Sequence, residues 1–294
     1  MRYSLFVFAL LLSACQGLAG EIRLTSDGTN KRDPRFIENG KTLVFCYDEG
    51  PDLIRMMRMD MKLRKPEPVF RDAGNRHNLE PSFSPKEKFV AFTQCTGNLT
   101  ARLVIRNQET KAEAYITHSG RGGTRSPAFS PDGKRVVYAF AERGPQQLWA
   151  VDTDGKNKKQ LTQCSGISNW PTFTPDGKTI VFSNSRENNY ELYAMAVDGS
   201  SERRLTDNNI MDIRPAVSPD GSQIAFVSTR AGSYNVFIMN IDGSNVRQMT
   251  DSEERNDYPT WHPNGRQVVF VSERDGDFDL YLKDVSDGKL ALSE

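Results

Sequence analysis

The sequence predicts an all-β protein: a six-bladed β-propeller with four-stranded blades, closed by an N-terminal strand that completes the last blade. Three observations lead there. A turn tetrapeptide recurs along the chain at nearly constant spacing. The stretch between copies divides each time into four short strands. Three of those strands carry continuous apolar runs, which asks for burial on both faces of each small sheet.

The turns set the frame. Ser130-Pro131-Asp132-Gly133, Thr174-Pro175-Asp176-Gly177, Ser218-Pro219-Asp220-Gly221 and His262-Pro263-Asn264-Gly265 follow one another at 44 residues. A degraded copy, Ser84-Pro85-Lys86-Glu87, lies 46 residues earlier, and Ile37-Glu38-Asn39-Gly40 a further 47 before it. That makes six units. Proline presets the second position of a type I turn and glycine suits the fourth.

The strands follow in order. The first ends in Pro-x-Phe or a close variant, as in Pro127-Ala128-Phe129 and Pro259-Thr260-Trp261. The second is apolar throughout: Val136-Val137-Tyr138, Ile180-Val181-Phe182, Ile224-Ala225-Phe226, Val268-Val269-Phe270. The third repeats this, as in Leu192-Tyr193-Ala194-Met195, and leads to an Asp-Gly hairpin turn at Asp154-Gly155, Asp198-Gly199, Asp242-Gly243 and Asp287-Gly288. The fourth is polar and ends in Leu-Thr or Met-Thr, so it is the outer, wetted strand. A sheet covered on both faces by sheets of its own kind is a propeller blade, and closing the ring removes the two open ends of the stack. The sixth unit lacks an obvious fourth strand after Leu280-Tyr281-Leu282. C-terminal Lys289-Leu290-Ala291-Leu292 could supply it. The N-terminal run Glu21-Ile22-Arg23-Leu24-Thr25-Ser26-Asp27 matches Arg203-Arg204-Leu205-Thr206-Asp207 closely and is the predicted closing strand.

Composition narrows the function classes. With 37% apolar and 10% aromatic residues the chain can build a core, which excludes global disorder. Basic and acidic residues balance at 38 each, so neither a nucleic-acid footprint nor a broad basic face for anionic lipid is expected. Residues 1–20 read as a signal peptide: Arg2, then the apolar run Leu5 to Leu12, far too short to span a bilayer. Leu12-Ser13-Ala14-Cys15 resembles a bacterial lipobox, which implies lipidation of Cys15 as the first mature residue. Ordinary cleavage, for example after Ala19, is the competing reading. The propeller then occupies 21–294, and the expected location is the periplasm, with Cys15 the sole link to the outer membrane. A monomer is expected. Cys46, Cys95 and Cys164 leave an odd count; a Cys46–Cys95 disulfide and three free thiols are both open.

The run from Thr174-Pro175-Asp176-Gly177-Lys178 through Ile180-Val181-Phe182 to Arg186, then Leu192-Tyr193, Met195, Asp198-Gly199-Ser200 and Arg203-Arg204-Leu205-Thr206, resembles the repeat of the TolB-type β-propeller family. The resemblance spans 21–294, strongest over 124–284 and weakest in the first two units. It implies a non-catalytic propeller that binds short peptide segments of envelope proteins at its channel opening. Full family members carry an α/β domain before the propeller; 294 residues leave no room for one, so the likeness is to the propeller half alone.

The residues themselves say little of catalysis. No Gly-x-Ser-x-Gly occurs, and no second domain could hold a Ser-His-Asp triad. His77, His118 and His262 fall at unrelated places in the repeat, so no metal site is expected, and no cofactor. The acidic stretches 251–254 and 275–279 match no EF-hand spacing and read as solvated rim. Arg143, Arg186, Arg230 and Arg274 recur after the second strand and read as structural, pairing with an Asp or carbonyl of the next blade. Binding positions should be those that vary between units at the channel mouth, just before the first strand's proline. They are Arg32, Asp33, Asn78, Glu80, Arg125, Asn169, Trp170, Asp212, Arg214, Asp257 and Tyr258. Trp and Arg are frequent interface anchors, and a rigid frame orders such loops at little entropic cost. The expected function is that of an envelope binding or scaffold propeller with a peptide or protein partner. The alternatives are a carbohydrate-active lyase or glycosidase using channel carboxylates, and an accessory domain to a separately encoded enzyme.

Overall fold

A computed structural model describes residues 20–50, 53–96, 101–119, 122–287 and 289–290. The segment read as a signal peptide, with Cys15, the Asn98-Leu99-Thr100 glycosylation sequon and residues 291–292 of the C-terminal run lie outside them.

Six antiparallel sheets form six blades. Blade three is the type: Thr124–Phe129, Arg135–Phe140, Gln147–Asp152 and Lys159–Gln160, paired in that order. The innermost strands of the other blades are Lys31–Ile37, Arg76–Phe83, Ser168–Phe173, Asp212–Val217 and Asn256–Trp261. The apolar core is divided into six clusters, each straddling two neighbouring blades. Between blades three and four, for example, Val137, Ala139 and Leu148 meet Ile180, Phe182 and Met195. Continuous apolar runs are needed because each second and third strand feeds two clusters, one from each face.

The turn tetrapeptide works through its own side chains. Ser130 Oγ donates to Asp132 Oδ1 at 2.6 Å and accepts Arg135 N–H at 3.0 Å, while Asp132 Oδ1 accepts Lys134 N–H at 3.0 Å. Glycine is required for a second reason. Gly133, Gly177 and Gly221 stand at positive φ beside the turn proline of the preceding blade, and at Gly133 and Gly221 a Cβ would press on that ring at 3.2 Å. Where the first unit lacks the tetrapeptide, His262 of blade six packs over Gly40 and edge-on to Phe36.

The Leu-Thr ending is equally mechanical. The outer strands are short, and a threonine hydroxyl replaces the backbone acceptor they fail to provide. Thr162, Thr206 and Thr250 Oγ1 accept the N–H of Leu148, Leu192 and Val236 at 2.8–2.9 Å. Thr25 Oγ1 does the same for Leu280 at 3.0 Å and donates to Asp279 at 2.6 Å. Glu21–Arg23 is thus the fourth strand of blade six, paired with residues 281–283. Buried Lys31 reaches Asp279 at 3.0 Å and fastens the seam. The C-terminal Lys289–Leu290 takes a different place, as a fifth strand beside Arg247–Gln248 in blade five. Cys46, Cys95 and Cys164 are all free.

Candidate functional site at the propeller hub

The six innermost strands surround the axis and wall a cavity of about 480 Å³. In each, pairing with the second strand skips two residues, between Arg32 and Arg35, Leu79 and Ser82, Arg125 and Ala128, Asn169 and Thr172, Ile213 and Ala216, and Asp257 and Thr260. The second skipped residue is always the proline, which has no N–H to give the ladder. The first takes the left-handed conformation in all six blades: Asp33 (φ 53°), Glu80 (54°), Ser126 (51°), Trp170 (51°), Arg214 (52°) and Tyr258 (55°). For a residue with a Cβ this costs roughly 1–2 kcal/mol. The bulge aims that side chain at the axis, and all six line the cavity.

Five of the N–H groups freed by the bulges are taken up by side chains nearby, as buried amides require. Asp33 Oδ2 accepts Glu80 N–H at 3.3 Å and Glu80 Oε2 accepts Ser126 N–H at 2.9 Å. Asn169 Oδ1, Ser183 Oγ and Asp257 Oδ1 accept the N–H of Trp170, Arg214 and Tyr258 at 2.8, 3.2 and 2.7 Å.

Charge around this ring is polarised. Asp33 and Glu80 stand together on blades one and two. Burial, and then the nearby Glu80 carboxylate, push the Asp33 carboxyl up to about 6. On blades four to six, the Arg214 guanidinium lies 4.7 Å from the Trp170 ring centroid and 4.2 Å from that of Tyr258. Buried Asp257 holds it from behind, with Nη1 at 2.9 Å, while Arg214 Nε is buried with no partner. Burial and then the charge of Asp33 raise the Tyr258 phenol to about 12, so it stays a neutral donor. Two residues along each strand a second ring faces the cavity: Arg35, Ser82, Ala128, Thr172, Ala216 and Thr260. Beyond it the wall is aromatic and proline, including Phe36, Trp261, Pro131 and Pro175.

Of the residues expected at the mouth, Asp33, Glu80, Trp170, Arg214 and Tyr258 line the cavity together. The others support it from outside. Arg32 pairs with Asp48 at 2.5 Å. Asn78 is buried against Gln94, and Arg125 is exposed. Asn169 donates to Gln146, Asp212 is held by Arg230 at 2.9 Å, and Asp257 is the clamp on Arg214. Ser126 and the whole second ring, Arg35 included, escaped the sequence reading. The pre-proline position was the signal for Ser126, one residue past Arg125.

Three of the four recurring arginines pair within their own blades and not with the next: Arg230 with Asp212, Arg274 with Glu21, and Arg186 with Glu202. The three histidines are scattered. His77 Nδ1 accepts Ile54 N–H, His262 sits at the blade-six turn, and His118 stacks on Phe140 at 3.7 Å with Nε2 2.7 Å from Tyr138 Oη. Among the described residues no three His, Cys, Asp or Glu side chains gather as a metal-holding group, and no helix is long and apolar enough to cross a membrane.

The family model of the TolB beta propeller domain matches residues 16–167, 54–214 and 206–293. The Tol-Pal system protein TolB of Xanthomonas campestris pv. campestris is 32% identical over 93 residues, which is 32% of this chain and 21% of that protein. The chain spans about a fifth of the length of the curated relatives it matches. TolB from Acinetobacter baumannii superposes with a TM-score of 0.68 at 23% identity, over 85% of this chain and 65% of that one. An oligogalacturonate lyase from Vibrio parahaemolyticus superposes with a TM-score of 0.62 at 15% identity, over 91% and 94%, a likeness of fold alone.

Proposed function

Because the chain belongs to the TolB beta propeller domain family, we propose that it is a non-catalytic binding propeller of the cell envelope, recognising a peptide or protein partner at its hub. The carrying observation is the first ring: a cation stacked between Trp170 and Tyr258 faces two carboxylates across one cavity. Such a surface offers stacking, an anion partner and a cation partner to one inserted segment, and the bulges that aim it cost strain that the fold offsets elsewhere. The periplasm is the proposed compartment, with the apolar run at 5–12 as export signal and Cys15 as lipid anchor. Mass spectrometry of the mature N-terminus checks both; an unmodified chain starting after residue 15 ends the anchor.

The site is tested by crosslinked affinity capture from envelope extracts, comparing the natural chain with Trp170→Ala/Arg214→Ala. The double variant is expected to lose the captured partner. Identical partner sets would refute the site.

One observation favours a second reading, a channel lyase or glycosidase: Asp33, with its raised pKa, stands beside Glu80 as acid and base groups do. Against it, each carboxylate already accepts the backbone N–H of the next blade. Turnover of acidic oligosaccharides that Asp33→Asn abolishes would establish it.

A further inference from the structure

Arg35 stands apart among the hub cations. Arg32 has Asp48 and Arg214 has Asp257, but among the described residues no carboxylate pairs with Arg35. Its Nη1 donates to Pro34 O at 2.8 Å and to Thr260 Oγ1 at 3.0 Å. A guanidinium carries five N–H donors. Nε and Nη2 have no acceptor in the protein, yet neither is sealed in the interior without a partner, so both open on the cavity. The Asp33 and Glu80 carboxylates act on its charge through space, but no hydrogen bond joins either to its N–H groups, so Nε and Nη2 remain available to an acceptor that a ligand brings.

The surroundings define that ligand. On the side of the first ring stand Asp33 and Glu80, which repel an arriving anion. On the other side the wall is Phe36, Trp261 and the turn prolines, with no acid in the lining. An anion therefore reaches Arg35 from the turn face, with apolar groups beside it. Guanidinium binds carboxylate through two parallel hydrogen bonds, and the cavity volume admits a few residues of extended chain.

We infer that the turn-face half of the channel is a carboxylate site anchored by Arg35, and that its ligand is the free C-terminus of a peptide ending in apolar residues. This site does not depend on the partner proposed for the first ring, which lies on the opposite side of Arg35.

The probe is N-acetyl-Val-Pro-Leu with a free carboxylate, titrated calorimetrically against the whole chain beside its C-terminal amide and acetate alone. The acid is expected to bind at least ten-fold more tightly than the amide, and acetate much more weakly than the tripeptide acid. Equal binding of acid and amide, or no binding of the acid at millimolar concentration, overturns the inference on the unmodified protein. Arg35→Met should remove the preference for acid over amide, and its melting temperature should fall only modestly, since Thr260 Oγ1 keeps its own bond to Pro34 O when Nη1 is lost. A lowered melting temperature with the acid preference intact would make Arg35 structural. Thr260→Asp, which sets a carboxylate at the atom already 3.0 Å from Nη1, should compete with the ligand and weaken the acid at least ten-fold. Trp170→Ala should leave acid binding unchanged; a loss equal to that of Arg35→Met would assign the peptide to the first ring.

Discussion

At the scale of single residues, the hub is where local preference is overruled. A residue before proline ordinarily takes an extended conformation. Here six such residues are left-handed, and none is glycine. No local signal marks this, because the cause lies outside each strand: six converging strands must each shed one ladder position where proline offers no N–H. Two titrating side chains give a test with worked signs. The Asp33 carboxyl is raised to about 6 from an ordinary 3.8 by burial and by Glu80, so the folded chain holds a proton that the unfolded chain has lost. Its contribution is fully present below pH 3.8 and is lost as pH rises through 6. His118 is lowered to about 4 from 6.5 by burial, then by Lys158, so its contribution is present above pH 6.5 and is lost as pH falls through 4. The two slopes oppose each other between those limits. Asp33→Asn keeps an acceptor for Glu80 N–H and removes one of them. It should be about 1–3 kcal/mol more stable than the natural chain at pH 7 and equal to it near the unperturbed carboxyl range, leaving a profile that rises with pH. Urea unfolding at a series of pH values checks this; parallel profiles for the two chains would contradict it.

At the scale of the element, the outer strand was legible and its reason was not. Leu-Thr is visible as a repeated ending, but only geometry shows the hydroxyl standing in for a missing backbone acceptor. Once that is known, Leu24-Thr25 marks the N-terminal run as an outer strand as surely as Leu205-Thr206 marks its own. Thr25→Val should therefore cost about 1–3 kcal/mol, since it strands Leu280 N–H and one lone pair of buried Asp279, whereas Thr25→Ser should recover most of it. Thermal unfolding of the pair decides; equal loss in both would point to packing of the methyl group instead. The turn tetrapeptide was likewise readable as a turn. Its second duty, seating the glycine on the preceding blade's proline, was not, because that contact joins residues a whole repeat apart. The same gap hid His262, whose ring covers Gly40 where the first unit has no such turn.

At the scale of the whole molecule, copy number, blade order and the closing strand all followed from the repeat, since each unit can bury its faces only against another. What the repeat conceals is where units differ by design, and the second ring with Arg35 is such a place. Closure also makes a prediction here. A chain beginning at residue 28 lacks the fourth strand of blade six and leaves Asp279 without Thr25 or Arg23. It should associate through the open edge, which light scattering would detect as particles larger than those of the natural chain under the same conditions. The seam has a temporal side too. Thr25 and Leu280 are 255 positions apart, so the first part of the propeller to be synthesised has no partner until nearly the last has arrived. During translation, five blades can zip up in sequence while the opening segment waits. Protection of that waiting edge until its partner arrives is a demand that the circular plan itself places on the cell.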